Sequence, residues 1–250
     1  MADLEIGDRV VYWTVNGGAF ADYLVINTRT AAVGKLSENV TDDIAAIMEM
    51  VIGSARLLYD ENGNPFIKAG DKAAIFGLGP AGLIYHRLLK LMGAGRICGV
   101  GHRRLRLDSS VRLGADGAVS SQESGYLEKI MDILKGKPDI IVDATGADVV
   151  ADMIRLGAPD ARIIPYGVPP FSWKDRFTEL TDAGMALPAF TGLDSARAAI
   201  KACIGWADGG VLGLEPVISH RLPFDQIARG LDMCRLERDT TLKVVIDVNE

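Results

Sequence analysis

The chain has 250 residues, of which 48% are hydrophobic and 24% are charged, and this composition excludes a disordered chain or a fibrous repeat. Its 27 basic and 33 acidic residues give a net charge of −6, so nucleic acid and anionic membranes are not expected as partners. Three isolated cysteines, no secretory leader and no apolar run of ~18 residues indicate a soluble, cytoplasmic protein without disulfides.

The first elements are short. β-rich runs at residues 9–13 and 23–26 lie on either side of an Asn-Gly-Gly sequence and predict a hairpin over Asp8–Asn27. From Thr41 the apolar residues recur at helical spacing, and Thr41 can cap a helix that is predicted to close near residues 61–63.

Strands and helices then alternate as far as Val168. Strands are predicted at 72–76, 96–100, 117–120, 139–143 and 162–166, and helices at 81–92, 126–135 and 149–156. Because buried strands separated by helices form parallel sheets, the fold class is predicted as α/β with a doubly wound sheet. Further helices are predicted at 195–207 and before Arg235, and a last strand at 242–246.

A glycine-rich sequence follows the first strand of this series and opens an apolar helix. It reads Gly77-Leu78-Gly79-Pro80-Ala81-Gly82, a G-x-G-x-x-G pattern, here called the glycine turn. The first glycine allows a tight turn, the second lets a pyrophosphate approach the backbone, and the third lets helix and strand pack closely. These six residues are predicted to bind a dinucleotide; the alternative is an ordinary tight turn between strand and helix.

The end of the second strand predicts which dinucleotide binds. An NAD site carries Asp or Glu there to bind the ribose hydroxyls, and here Gly101 holds that place. His102, Arg103 and Arg104 follow, with Arg106 soon after, and guanidinium groups suit a phosphate. This cationic cluster favours NADP over NAD, unless its members only begin a solvated helix.

Two later loops lie where open parallel sheets bind ligands, at the carboxyl ends of strands. Thr145 and Gly146 follow one strand, and Gly167 and Val168 follow another. We predict that all four contact the cofactor, with loop geometry alone as the alternative.

With these residues in view, the chain resembles the medium-chain dehydrogenase/reductase family, the zinc-type alcohol dehydrogenases. The similar segments are Gly-Asp-Arg-Val at 7–10, Gly-Gly-Ala-Phe-Ala-Asp-Tyr at 17–23, Lys-Ala-Gly-Asp at 68–71, His-Arg-Leu-Pro-Phe at 220–224 and Lys-Val-Val-Ile at 243–246. The resemblance implies that Lys243 belongs to the cofactor site.

The resemblance also bears on zinc. In the family, the first catalytic-zinc cysteine and a His-Glu pair precede the Gly-Asp-Arg-Val turn, so they are not expected here. The structural-zinc lobe would fall between Trp13 and Gly17, where three residues stand. Glu49 matches a glutamate zinc ligand of polyol and threonine dehydrogenases, but one carboxylate cannot supply about four ligands. A complete chain could hold zinc, whereas this chain is not expected to hold it tightly; alternatively, Glu49 is an exposed helix residue.

These observations predict three segments. Residues 1–50 form part of a β-rich, GroES-like catalytic domain, residues 51–193 an NADP-binding Rossmann domain, and residues 194–250 a return segment of the catalytic domain. By resemblance, the function is hydride transfer between NADPH and a small alcohol or carbonyl substrate. The alternatives are a catalytically incomplete NADP-binding chain or partner subunit, and a zinc-independent reductase.

No catalytic residue is identified from spacing. His86 and His220 are expected to be structural, since neither forms a defensible set with a nucleophile. A homo-oligomer, dimer or tetramer, is expected by resemblance only.

Overall fold

The computed structural model describes residues 4–14, 21–167, 173–187 and 192–248. They fall into two compact units, Met1–Phe66 with Ala189–Leu212, and Ile67–Pro188 with Gly213–Glu250. This division does not coincide with the predicted boundaries, since residues 213–248 group with residues 67–188; the boundaries remain a prediction. No helix in the described ranges combines the length and hydropathy needed to cross a bilayer.

In the first unit, β1 (Val10–Trp13) pairs antiparallel with β2 (Ala32–Lys35). α1 spans Asp42–Ala55, a 3₁₀ turn follows at Arg56–Leu58, and α7 spans Leu193–Asp208. The two helices pack on each other and α7 packs on β2. Gly34 permits this approach, because a Cβ there would lie 3.5 Å from the Ile200 side chain and closer still to that of Ile204.

Two predictions in this unit are wrong. Residues 23–26 form no strand: Tyr23 and Val25 are more than 90% exposed, and the partner of β1 is β2. Helix α1 ends at Ala55 and not near residue 63. The 3₁₀ turn follows it directly and the chain becomes extended at Tyr59, while Asp60 accepts hydrogen bonds from the backbone N–H groups of Asn62 and Asn64 and closes a separate turn. The predicted cap is confirmed, since the Ile44 N–H donates to the Thr41 hydroxyl at 3.4 Å.

The second unit is built on a parallel sheet. Its strands are β3 (Lys72–Phe76), β4 (Arg96–Gly101), β5 (Gly117–Ser120), β6 (Ile140–Asp143) and β7 (Arg162–Pro165), in the order β5-β4-β3-β6-β7. Its helices are α2 (Pro80–Leu91), α3 (Arg104–Arg112), α4 (Tyr126–Leu134), α5 (Val150–Leu156) and α6 (Trp173–Asp182). The chain continues through β8 (Ile218–Pro223), α8 (Ile227–Leu236) and β9 (Lys243–Asp247), with β8 and β9 parallel.

Both faces of the five-stranded sheet are covered. On one face, Ala74 and Cys98 join a buried cluster with Ile130 of α4 and Met153 of α5. On the other face, a Cβ on Gly99 of β4 would point at His86 of α2 and Ser110 of α3. Helices on both faces of a parallel sheet are the doubly wound arrangement, so the predicted fold class is confirmed.

Candidate functional site

The candidate site lies at the carboxyl ends of β3, β4, β6 and β7. From β3 the chain winds through β4 to β5 on one side, and β6 and β7 lie on the other. Register pairs Phe76 with both Val100 and Asp143, so the strand ends are level. The strand order therefore reverses at β3, and the edge beyond such a reversal is the usual ligand position in these sheets.

The glycine turn is compact at its first and third glycines. Gly77 has φ +89°, a conformation that residues with a Cβ rarely adopt, and a Cβ there would also lie 2.8 Å from the Ala144 carbonyl group. A Cβ on Gly82 would lie 2.9 Å from the Gly77 carbonyl carbon and closer still to its oxygen. These two glycines therefore let strand, turn and helix meet.

The second glycine is different, because the space beside it is open. The nearest atom to a Cβ on Gly79 would be Nη1 of Arg106, at 3.9 Å. Gly79 caps α2, and Pro80 is its first residue. The first bond of the helix runs from the Leu83 N–H to the Gly79 carbonyl at 3.0 Å, which leaves the amides of Ala81 and Gly82 without an intrahelical acceptor. The turn thus presents donors and space to an anion.

Gly101, which holds the acid position, lies against the glycine turn. A Cβ on Gly101 would stand 3.0 Å from Cδ1 and 3.1 Å from Cγ of Leu78, and Leu78 is 2% exposed. Leu78 therefore fills the space into which a side chain at position 101 would project.

The cationic cluster begins at Arg103, the cap residue of α3. Its Nε donates to Asp239 at 2.7 Å, and its side chain is 27% exposed. Arg104 pairs with Asp108 at 2.9 Å on the exposed face of α3, and His102 is exposed as well. Arg103 is thus the partly buried member of the predicted trio.

Arg106 is the member of the cationic cluster that the sequence does not assign to the cofactor site, and the structure places it beside Gly79 of the glycine turn. Its Nε is buried and has no hydrogen-bond partner among the described residues. Burial lowers the pKa of the guanidinium, and the neighbouring Arg103 and Arg238 lower it further. A spacing of three residues puts Arg103 and Arg106 on one helix face, the signal that could have identified it.

The loops after β6 and β7 complete the edge. Thr145 donates to Asp143 twice, from its N–H at 2.9 Å and from its hydroxyl at 2.7 Å. Burial raises the pKa of Asp143, while these hydrogen bonds oppose the rise. A Cβ on Gly167 would lie 2.9 Å from the Thr145 nitrogen and closer to that of Gly146. Thr145, Gly146 and Gly167 therefore lie together.

Two predicted cofactor residues are not placed there. Val168 lies outside the described residues. Lys243 opens β9 opposite Ile218, and its carbonyl accepts from the Ser219 hydroxyl at 3.1 Å. No contact described for Lys243 reaches the glycine turn, so its role in the cofactor site stays a prediction.

The described donors do not suit a zinc ion. Glu49 is exposed on α1, and burial raises the pKa of the Cys98 and Cys203 thiols to about 12. Both thiols are buried, Cys98 in β4 and Cys203 in α7, and no hydrogen bond or ion pair described for Glu49 joins it to another possible ligand. Within the described ranges, no three His, Cys, Asp or Glu side chains form a candidate metal cluster.

His86 is fully buried between α2 and α3. Its Nδ1 lies 2.7 Å from the Gly82 carbonyl oxygen, which makes Nδ1 the donor, so its Nε2 accepts from the Ser110 hydroxyl at 2.8 Å. The neutral ring therefore ties the helix that begins at the glycine turn to the helix that carries Arg106. Burial lowers the pKa of His86 to about 4.

This histidine predicts a loss of stability in acid. The unfolded chain takes up the proton near pH 6.5 and the folded chain only near pH 4, so stability is complete above pH 6.5 and falls as the pH drops toward 4. The expected loss is about 3 kcal/mol. Denaturant unfolding at successive pH values should show this slope in the parent and in a His220→Gln control, but not in His86→Gln. Equal slopes in parent and His86→Gln would contradict the assignment.

Comparisons with known proteins find similarity to dehydrogenases. A family model described as zinc-binding dehydrogenase matches residues 80–187. L-threonine 3-dehydrogenase from Bacillus licheniformis is 22% identical over 221 residues, which cover 87% of this chain and 62% of that enzyme. The chain thus spans less than two thirds of that relative.

Solved structures share the fold. 2R,3R-butanediol dehydrogenase from Bacillus subtilis superimposes with a TM-score of 0.75 at 21% identity, over 100% of this chain and 76% of that one. A short chain alcohol dehydrogenase from E. coli CFT073, complexed with NADH, gives a TM-score of 0.68 at 21% identity, over 87% of this chain and 65% of that one.

Proposed function

We propose that this chain, which matches a zinc-binding dehydrogenase model over residues 80–187 and is similar to L-threonine 3-dehydrogenase, binds NADPH and transfers hydride between this cofactor and a small alcohol or carbonyl substrate. The cofactor would supply the hydride chemistry, and the protein would bind and orient it. The observation that carries the proposal is the open space beside Gly79, which Nη1 of Arg106 approaches, together with the buried Nε of the same arginine, which has no hydrogen-bond partner among the described residues.

Each part of the site has a separate task in this proposal. The amides of Ala81 and Gly82, at the start of α2, would donate to the pyrophosphate. Arg106 would add a cation beside Gly79, because its Nη1 lies 3.9 Å from the position that a Cβ on Gly79 would occupy. Arg103 would bind the 2′-phosphate, because guanidinium forks match phosphate oxygens.

The preference for NADP(H) is the first expected result. Calorimetric titration should show NADP⁺ binding on the order of tenfold to hundredfold more tightly than NAD⁺, the value of charge-assisted hydrogen bonds to a phosphate. Gly101→Asp should reverse the order, because its carboxylate repels the 2′-phosphate and accepts from ribose hydroxyls. Leu78 must shift by a few tenths of an ångström to admit it.

Gly101→Asn is the matched control, because it adds nearly the same volume without charge. It should keep the preference for NADP⁺ even where both affinities fall. Equal affinities in the parent, or tighter binding of NAD⁺, would contradict the proposed cofactor. The same order of affinities in the Asp and Asn variants would show that volume, not charge, matters at position 101.

A second candidate function is NADP binding without turnover, as an incomplete chain or partner subunit. The donor chemistry favours it: two thiols are buried, and both nitrogens of His86 are engaged. NADPH oxidation with a panel of aldehydes and ketones, measured beside metal content, separates the candidates. Binding without oxidation supports the second, and oxidation without zinc supports a zinc-independent reductase.

Location and assembly are part of the proposal as well. A cytoplasmic dimer or tetramer is proposed from the family resemblance. Size-exclusion chromatography with light scattering would test the assembly.

A further inference from the structure

The segment between α8 and β9 reaches the cationic cluster. Arg103 donates through Nε to Oδ1 of Asp239 at 2.7 Å, and Arg238 is close enough to Arg106 to repel it electrostatically. The segment therefore brings one cation and one anion to the site proposed for the 2′-phosphate. Neither residue stands out in the sequence, because about 130 residues separate this segment from the start of α3.

The segment, residues 237–241, is held in a fixed turn. The Glu237 carbonyl accepts from the N–H groups of Thr240 and Thr241, at 3.1 and 2.9 Å. The Glu237 side chain pairs with Arg229 of α8 at 2.5 Å, and Thr241 is 2% exposed. Asp239 therefore projects from an anchored backbone, so its carboxylate is placed at Arg103 by the fold.

We propose that Asp239 is a specificity-determining residue, whose carboxylate competes with the 2′-phosphate of NADP for the Arg103 guanidinium and so limits the preference for NADP over NAD. The inference rests on the proposed function, since it assigns Arg103 to the 2′-phosphate. It predicts that the carboxylate is displaced from Arg103 when NADP binds, and is left undisturbed when NAD binds.

The charges determine the direction of the effect. A phosphate monoester carries a charge of about −1.5 to −2 at pH 7, so a carboxylate at the same guanidinium both occupies a donor and repels the ligand. The Asp239 side chain is 85% exposed, and exposed ion pairs are weak. The phosphate therefore displaces Asp239, at a cost to affinity of about two- to fivefold.

The test removes the charge and keeps the shape. Asp239→Asn retains an oxygen that can accept from Arg103 but loses the negative charge. Calorimetric titration of the parent and variant with NADP⁺, NAD⁺, 2′,5′-ADP and 5′-AMP measures the effect on ligands with and without the 2′-phosphate. Asp232→Asn is the control, since Asp232 is also an exposed carboxylate paired with an arginine, Arg235, at 3.6 Å.

The expected result is two- to fivefold tighter binding of NADP⁺ and 2′,5′-ADP to Asp239→Asn, with NAD⁺ and 5′-AMP unchanged and a smaller effect in Asp232→Asn. Weaker binding of NADP⁺ would overturn the proposal and show that Asp239 only orients Arg103. Equal changes for all four ligands, or no change, would overturn it too. Tighter binding of NAD⁺ than of NADP⁺ by the parent would contradict the proposed function instead, and the ratio of 2′,5′-ADP to 5′-AMP affinity would still test Asp239.

Discussion

Gly79→Val is expected to abolish NADPH binding in a protein that remains folded. The nearest atom to a Cβ at this position is 3.9 Å away, so the fold has room for the side chain. The same space is where a pyrophosphate would meet the backbone, and the valine methyl groups would fill it. Fluorescence titration with NADPH measures the loss, and circular dichroism verifies the fold.

Gly205→Val provides the control for this substitution. Gly205 lies in α7, and a Cβ there would meet nothing within 4 Å, so the variant should bind NADPH as the parent does. If Gly79→Val also bound NADPH with the affinity of the parent, the glycine turn would be a structural feature and not the cofactor site.

Gly82→Ala, unlike Gly79→Val, should cause a large loss of stability. The Cβ of the alanine would overlap the Gly77 carbonyl group. Because the atoms it meets belong to the backbone, no flexible side chain can move aside to relieve the overlap. Separating α2 from the end of β3 to relieve the overlap should cost about 3 kcal/mol. Urea denaturation measures the change as a lower midpoint.

Gly79→Ala is the matched variant, since it makes the same chemical change three residues earlier in open space. Its stability should stay within about 0.5 kcal/mol of the parent. Equal losses in the two alanine variants would mean that conformational entropy, and not the contact between Gly82 and Gly77, determines stability here.

The parallel sheet was predictable because its signals are local. The strand at 72–76 coincides with β3, and the strand at 117–120 with β5. Apolar residues flanked by turn glycines identify such buried strands without knowledge of their partners. The predicted hairpin was wrong because its signal was local and the true pairing is not. The partner of β1 is β2, which packs on α7, about 160 residues further along the chain.

The candidate site likewise contains residues that local sequence identifies and residues that only the fold brings together. The glycine turn carries its own signature, so all six of its residues could be named from sequence. Arg106 was near enough to Arg103 to be noticed, but its approach to Gly79 depends on how α3 packs beside α2. Asp239 could not be found at all, because a single exposed aspartate gains meaning only from the guanidinium that the fold brings to it.

The contact between Leu78 and position 101 has an evolutionary consequence. An acid at position 101 enters space that the Leu78 side chain occupies, so the fitness effect of that substitution depends on the residue already present at 78. A lineage that shortened Leu78 first would open a buried void and lose stability, whereas one that acquired the acid first would strain the turn. If position 101 determines the cofactor as proposed, a change of cofactor costs stability in either order, and the two positions are expected to vary together among descendants.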